Sequence, residues 1–234
     1  MKKRNKKSIT SIVREIIFTR PCILESIVNN YANYSALSRL LYDDVSKYLK
    51  EKDIKLSTIK ISLIRISEKL RGERKNTKKI IRDVIANSSL TIIDGIDVIT
   101  IRHISLKQLQ ILLKIFEKSR FYHFTQGIGQ ITIMTDYESY REILKIFSSD
   151  NILNVLENQS AVILTSPKNI IYTPGVIAYL SSLLSIRKIN ITQMISCHTD
   201  TIFVVSRNNA LEVFKLLQDV IEKFRKSDTC YQAF

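Results

Sequence analysis

Apolar residues change their spacing in a regular order between residues 161 and 206, and that order predicts a strand followed by a helix. Residues 161–165, AVILT, form a short apolar run typical of a buried strand. The sequence Thr173-Pro174-Gly175 then predicts a helix start, with Thr173 as the N-cap and Pro174 in the first turn. Beyond it, apolar residues recur at helical spacing and give the helix one apolar face: Val176, Ile177, Leu180, Leu183 and Leu184.

Two strands and a second helix continue this series. Residues 189–199 and 201–206 have the pattern of strands joined at His198-Thr199-Asp200, and residues 209–225 carry the apolar stripe of a helix. The segment is therefore predicted to have the order β-α-β-β-α, which leaves residues 227–234 for a final edge strand.

Residues 87–158 repeat the same order. Asp94-Gly95 stands between two apolar runs and predicts a hairpin. A helix, two strands, a second helix and a closing edge strand follow, and the first of these helices is expected to direct Leu106, Leu109, Leu113 and Phe116 inward. The chain is thus predicted to hold two βαββαβ units in succession, behind an all-α region, in an α+β fold.

The first 86 residues have helical spacing throughout. Pro21 ends one predicted helix and starts the next, and a third helix follows Asn33. A fourth begins with Ser57 as its cap and ends at Gly72, and the polar run GERKNTKK is expected to connect it to the next element. The third and fourth helices are joined by a short turn near Lys52, which is typical of a helix-turn-helix.

The fourth helix carries a polar stripe beside its apolar one. Small hydroxyls allow a helix to approach base edges, and an Arg side chain can reach both acceptors of a guanine. The stripe therefore favours a recognition helix in the major groove of DNA, although an ordinary solvated helix face has the same pattern. The DNA-binding candidates are Ser57, Thr58, Lys60, Ser62, Arg65, Lys69 and Arg71.

Charge separates the chain into two parts. Residues 1–87 hold 21 Lys and Arg against nine Asp and Glu, whereas the remaining 147 residues hold 15 against 13. A basic front is typical of a nucleic-acid partner. Residues 1–7 carry five Lys and Arg, so they form either a solvated tail or an arm that contacts phosphates.

Four short runs resemble the ACT regulatory domain, most closely the type attached to aspartate kinases: Pro174-Gly175-Val176-Ile177-Ala178, Ile189-Asn190-Ile191, Met194-Ile195-Ser196 and Phe203-Val204-Val205. The resemblance implies a ferredoxin-like fold that pairs with another copy and binds a small ligand, usually an amino acid, where the copies meet. It therefore implies a homodimer or a larger assembly, although the two predicted copies could instead pair within one chain.

Residues 33–70 also resemble the amino-terminal region of a group of archaeal regulators in which a helix-turn-helix precedes ACT-like domains. The expected domains are a basic arm, a helical helix-turn-helix domain, a degenerate ACT-like unit and an ACT domain, over residues 1–7, 8–86, 87–158 and 159–234.

The loop before the Pro-Gly helix is the candidate ligand site. Free amides at a helix start favour a carboxylate, and nearby amide side chains could add hydrogen bonds, although a plain N-cap and turn has the same spacing. The ligand-binding candidates are Asn169, Thr173, Pro174, Gly175, Val176 and Gln193. In the first unit His103-Ile104-Ser105 replaces Pro-Gly, which makes that unit a candidate structural partner.

The sequence predicts no catalytic residue, metal site or cofactor, so the protein is not expected to be an enzyme. Cys197 and His198 would point to opposite faces of a strand, and the three His residues show no metal-ligand spacing. Three widely spaced Cys residues suggest reducing cytoplasm, and no apolar run is long enough to span a membrane.

An amino-acid-responsive, DNA-binding transcription regulator is the predicted function. One alternative is an RNA-binding protein, which needs aromatic residues on the sheet face, where only Tyr122 and Phe124 qualify. Another is a non-catalytic regulatory subunit of an amino-acid metabolic enzyme, which would leave the basic front unexplained.

Overall fold

The computed structural model describes residues 7–49 and 54–231, apart from the side chains of residues 73–75 and 227–231. The chain divides into one unit over residues 1–79 and another over residues 80–234. All of the predicted basic arm except Lys7 lies outside the described residues.

Four helices form the first unit, as the apolar spacing predicts: α1 (Ile9–Phe18), α2 (Pro21–Val28), α3 (Tyr34–Leu49) and the first part of α4 (Leu56–Ala86). The Ser8 hydroxyl caps α1, and the Asn33 side chain accepts hydrogen bonds from two amides at the start of α3. The apolar stripes of the helices share one core, in which Val13, Ile17 and Leu63 are fully buried. The predicted turn between α3 and α4 falls partly outside the described residues.

Helix α4 does not end at Gly72, so the prediction of a break and a polar connector there was wrong. It runs for 31 residues to Ala86, and Gly72 is an exposed residue within it. One Gly inside a helix costs only about 1 kcal/mol relative to Ala. Val84 and Ile85 are completely buried at the far end of α4, and their burial more than offsets that cost.

A six-stranded antiparallel sheet forms the second unit, in the order β2-β3-β1-β4-β6-β5. Its strands are β1 (Ser89–Ile101), β2 (Tyr122–Gln126), β3 (Ile131–Asp136), β4 (Ile152–Thr165), β5 (Gln193–Cys197) and β6 (Asp200–Ser206). The helices of this unit are α5 (Leu106–Phe116), α6 (Tyr137–Leu144), α7 (Val176–Ile186) and α8 (Arg207–Tyr231), together with the end of α4.

Strand β1 passes straight through Asp94-Gly95, so the predicted hairpin was wrong. Gly95 has φ 71°, and the pairing of β1 with β4 shifts register between Asp94 and Ile96. A Gly in the left-handed region can form a β-bulge as readily as a turn. The extra residue changes which side chains of β1 face the helices. Before the bulge these are even-numbered residues, Leu90 and Ile92, which pack under α7 and α8. After it they are odd-numbered residues, Ile99 and Ile101, which pack under α5 and α6.

Two halves of this unit share the long strands β1 and β4. The first half has the predicted βαββαβ order, β1-α5-β2-β3-α6-β4. The second half continues β4-α7-β5-β6-α8, and its fourth strand is the beginning of β1, where Ser89 pairs with Thr165. Residues 227–231 are helical, so the predicted final edge strand is not formed there, and residues 232–234 lie outside the described residues. The two halves are therefore interleaved and not successive.

Both faces of the sheet bury apolar side chains. The helices cover one face, where Phe203, Val205 and Leu217 belong to one core and Ile133 belongs to another. The opposite face has its own cluster of mainly aliphatic residues: Ile96, Val98, Met134, Ala161, Ile202 and Val204. In α5 the buried residues are Leu112, Ile115 and Phe116, whereas Leu106 and Leu113, which were predicted to face inward, are exposed.

Candidate functional site

A cleft of about 570 Å³ lies in the second half of the sheet unit, between the β4–α7 loop and the β5–β6 hairpin. The loop contributes one wall, through a 3₁₀ turn at Lys168–Tyr172 and the start of α7. The hairpin contributes Ser196 and His198. The lining residues are Ile170, Ile171, Tyr172, Thr173, Pro174, Gly175, Val176, Ile177, Ser196 and His198.

The Pro-Gly sequence forms a turn that precedes α7, and not the first turn of the helix as predicted. Gly175 is the N-cap, with φ 101° and ψ −10°, close to the values that a type II turn requires at its third position. Pro is common at the position before it in such turns. Thr173 is therefore too far from the helix to cap it, and its hydroxyl donates instead to the Asn169 carbonyl oxygen at 2.7 Å.

Helix α7 has no side-chain cap, although its first turn lines the cleft. The corresponding end of α5 differs, because Ser105 and Gln108 form a complete capping box there. Asn151 also holds the backbone of His103 in front of α5, by accepting from its amide and donating to its carbonyl. Of these two helix starts, only that of α7 leaves its first amides without a side-chain partner, and it therefore favours a bound anion.

The hairpin wall is held in place by β4. The Ser166 amide donates to the Thr199 carbonyl oxygen at 2.9 Å, and His198 occupies the left-handed region at φ 53°. Next to Ser196 in the register lies Thr201, which is completely buried and whose hydroxyl has no hydrogen-bond partner among the described residues. The hairpin thus brings Ser196 and His198 to the cleft at the start of α7.

Four of the six predicted ligand residues line the cleft: Thr173, Pro174, Gly175 and Val176. Asn169 and Gln193 do not line it: Asn169 is exposed in the 3₁₀ turn, and Gln193 lies at the opposite end of β5 from the hairpin. Sequence reasoning missed Ser196 and His198 as lining residues. Their place depends on the pairing of Cys197 with Asp200, which the apolar pattern alone does not define.

The predicted DNA-binding residues do not share one exposed face. Ser57, Lys60, Arg65 and Lys69 are exposed and Thr58 is half-buried. Ser62 is only 3% exposed and its hydroxyl lies 3.0 Å from that of Thr10, so it faces α1 inside the helical unit. Arg71 is half-buried and donates to the Asn30 side chain and the Tyr34 hydroxyl.

The aromatic residues on which the RNA-binding alternative depends face the helices. Tyr122 stacks on Phe116 of α5, with ring centroids 4.5 Å apart, and Phe124 packs against the same core. Neither ring lies on the sheet face opposite the helices, where stacked bases would need it.

Away from the cleft, the acidic side chains of Asp97 and Glu157 lie near the register shifts in the pairing of β1 with β4. Burial raises the pKa of the Asp97 carboxyl, and a hydrogen bond from the Asn158 amide opposes this shift. The Tyr140 hydroxyl donates to Glu157 at 2.6 Å, and burial together with this bond raises the pKa of the phenol. Among the described residues no group of three His, Cys, Asp or Glu side chains could hold a metal ion.

Fold and cleft together define an α+β protein with a ligand-sized opening at an uncapped helix start. Residues 154–219, which include the whole cleft, match the family model of the ACT domain. This match confirms the predicted ACT domain in the carboxyl-terminal part of the chain. The second ACT unit and the helix-turn-helix stay predictions.

Several solved structures are similar in fold. The aspartate kinase of Clostridium acetobutylicum is 15% identical with a TM-score of 0.48, over 58% of this chain and 34% of that one. The regulatory subunit of aspartate kinase from Thermus thermophilus is 11% identical with a TM-score of 0.44, over 56% and 95%. A Vibrio cholerae protein of unknown function is 14% identical with a TM-score of 0.45, over 62% and 98%.

The chain spans about a third of the length of the Clostridium enzyme. No curated protein sequence matches it. Within the described residues, none of the helices is long and apolar enough to cross a lipid bilayer.

Proposed function

We propose that the protein is a non-catalytic regulator in which the α7 cleft binds an amino acid and the basic helical unit binds DNA. One observation carries the ligand part of this proposal. Helix α7 begins without a side-chain cap, its start lines the cleft, and it lies within the residues that match the ACT domain.

The chemistry of the cleft suits an amino acid. Unpaired amides at the start of α7 favour a carboxylate, and no acidic side chain lines the cleft to repel it. Ile171, Tyr172 and Ile177 offer apolar surface to a side chain, and Ser196 adds a hydroxyl. A volume of about 570 Å³ is within the range of small-molecule sites.

A thermal-shift screen of the twenty amino acids tests ligand binding, because a ligand that binds only the native state raises the Tm. Ser196→Leu should fill the cleft and abolish the shift with little effect on the unliganded protein, since Ser196 is exposed. Ser185→Leu is a matched control on an exposed face of α7 outside the cleft, and it should keep the shift. A Tm shift of equal size in Ser196→Leu would show that the ligand binds outside the cleft.

The helical unit is the proposed output. Its exposed Lys60, Arg65 and Lys69 lie in the basic front of the chain, where positive charge exceeds negative charge by 12 over residues 1–87. An effector can change DNA affinity only if it binds two arrangements of the protein unequally. The measurement is duplex DNA affinity with and without the effector. Equal affinities would show that the effector does not regulate DNA binding. Such a regulator would act in the cytoplasm.

A regulatory subunit of an amino-acid metabolic enzyme is the second candidate. It is favoured by the engagement of Ser62 and Arg71 inside the helical unit, which leaves fewer side chains to read bases. Titration of the protein against duplex DNA at low salt distinguishes the two candidates, because a subunit without a nucleic-acid role would show no saturable binding.

We also propose that the protein assembles as a homodimer or a larger oligomer. Strands β2 and β5 each pair with one neighbour only, so each presents an open edge in the described part of the sheet. The first half of the sheet, whose α5 start is capped, is proposed as a structural ACT-like unit without a ligand. Light scattering at micromolar concentration tests the assembly, and a monomer would refute it.

A further inference from the structure

We propose that the groove between α1 and α4 is a phosphate-binding site that takes one backbone phosphate of duplex DNA. The inference deepens the proposed DNA output and rests on it. It adds α1, which the sequence analysis left unassigned, to the interacting surface.

Two pairs of residues, each spaced i and i+4, form the walls of the groove. Thr10 and Arg14 stand on α1, and Arg65 and Lys69 stand on α4. Residues at this spacing project from the same face of a helix. Ile66 and Leu70 complete the lining, and the volume is about 240 Å³.

The two helices are joined at one end of the groove. The hydroxyls of Thr10 and Ser62 lie 3.0 Å apart in a partly buried hydrogen bond. Arg14 lies over the ring of Phe18, with 5.2 Å between its guanidinium carbon and the ring centroid. Such a cation–π contact helps to fix the position of the guanidinium group.

The positive charge of the groove is not compensated. Lys7 and Arg20, elsewhere in the helical unit, are paired with Glu15 and Asp44. Among the described residues, Arg14, Arg65 and Lys69 have no ion pair, and no acidic side chain lines the groove. Like charges held at i and i+4 repel each other, so an anion between the walls would relieve this repulsion.

The donors suit a phosphate better than a base edge. Two guanidinium groups can each offer two parallel N–H donors to an oxyanion, a Lys adds a point charge and a Thr adds a hydroxyl. Phosphate contacts of this kind position a protein on duplex DNA without reading its sequence. The buried position of Ser62 is then useful, because it holds α1 and α4 together and does not itself need to reach a base.

The test compares two double variants with the same loss of charge. Arg14→Gln with Arg65→Gln removes the two guanidinium groups of the groove, and Arg39→Gln with Lys47→Gln removes two exposed cations of α3. All four residues are exposed, so both variants should fold, as circular dichroism and the Tm will show. Affinity for a fluorescent 20-base-pair duplex is measured by anisotropy between roughly 50 and 300 mM salt.

The groove variant should bind the duplex about tenfold more weakly at low salt, and its slope of log affinity against log salt should fall by about 0.9, the loss of one phosphate contact. The α3 variant should keep the wild-type slope. Equal slopes and affinities in the groove variant and the wild type would overturn the assignment to DNA.

Inorganic phosphate distinguishes a free anion from a nucleic-acid backbone. A phosphate-dependent rise in Tm that is lost in the groove variant, with unchanged duplex affinity, would support the oxyanion site and overturn its assignment to DNA. If the wild type binds no duplex, the DNA output of the proposed function fails. If inorganic phosphate also leaves the Tm unchanged, the groove is not a phosphate-binding site. The amino-acid thermal shift at the α7 cleft is independent of all these results.

Discussion

Replacing Gly175 tests whether the turn before α7 depends on a backbone that only Gly adopts easily. The residue has φ 101°, and a Cβ atom added there would lie 3.0 Å from Cδ1 of Ile81. An L residue in the left-handed region costs about 1–2 kcal/mol. The contact adds little for Ala, because Cδ1 is the far end of a flexible side chain, but the branched side chain of Val has less room.

We therefore expect Gly175→Ala to lower the free energy of unfolding by about 1–2 kcal/mol and Gly175→Val by about 2–3 kcal/mol. For a chain of this size, 1 kcal/mol corresponds to a Tm decrease of roughly 2–4 °C. Gly175→Asn should lose less, since Asn tolerates positive φ better than Ala. The assay is urea unfolding of the unliganded protein, followed by circular dichroism.

Gly72→Ala is the control for glycine replacement in general. Gly72 lies within α4, has no positive φ, and an added Cβ would meet nothing within 4 Å. Ala should therefore stabilise this helix by about 0.5–1 kcal/mol, the opposite sign from position 175. If Gly175→Val were as stable as the wild type, the strained turn would be refuted and the role of Gly175 would be limited to the ligand.

Three further substitutions test the sheet unit. Phe203→Ala should cost about 3–5 kcal/mol in urea unfolding, because the ring is completely buried; a loss below about 1 kcal/mol would contradict its place in the core. Tyr140→Phe should cost about 0.5–1.5 kcal/mol through the lost bond to Glu157, and an unchanged midpoint would show that this bond contributes nothing. Asp97→Asn should raise the Tm at pH 7, because burial raises the pKa of the Asp97 carboxyl in the folded protein. Such a carboxyl stabilises the protein fully only below its unfolded pKa, near 4. It loses that contribution as the pH rises through the folded pKa. Asn can still accept from Asn158, so the gain should vanish below about pH 4, and a gain independent of pH would exclude titration as its cause.

The elements with one strong apolar period could be predicted from the sequence. Helix α8 buries five of the six residues predicted for its inner stripe, Ala210, Val213, Leu217, Ile221 and Phe224, and the sixth, Phe214, is half-buried. Strand β6 follows from its continuous apolar run. These patterns depend on which side of each element is apolar, and tertiary structure does not alter that.

The errors arise where one local signal fits two structures. Asp94-Gly95 supplies a left-handed residue, which suits a hairpin and a bulge equally, and only the pairing of β1 with β4 along its length decides between them. Thr173-Pro174 suits a helix cap and a type II turn in the same way. The choice depends on contacts far away in sequence, such as the side chain of Ile81 beside Gly175.

The cleft could be predicted in part for the same reason. Thr173 to Val176 are adjacent in sequence, so the correct order of β4, loop and α7 was enough to bring them to the cleft, although the predicted cap was wrong. Ser196 and His198 reach the cleft through the hairpin register, and in the helical unit Ser62 meets its partner through the crossing of α1 and α4. No short-range pattern contains that information.

Ile81 brings the end of α4 next to the ligand cleft. Ile81 belongs to α4 and lies beside the Gly175 turn, which lines the cleft. A ligand carboxylate at the start of α7 would fix the Gly175 turn and so favour one position of the Ile81 side chain over others. Val84 and Ile85, one turn further along α4, are completely buried in the same core as Val176 of α7, so α4 and α7 cannot shift independently at that point without opening packed contacts. On the proposed function, the end of α4 that packs in this core is therefore the part of the helix on which effector binding would act.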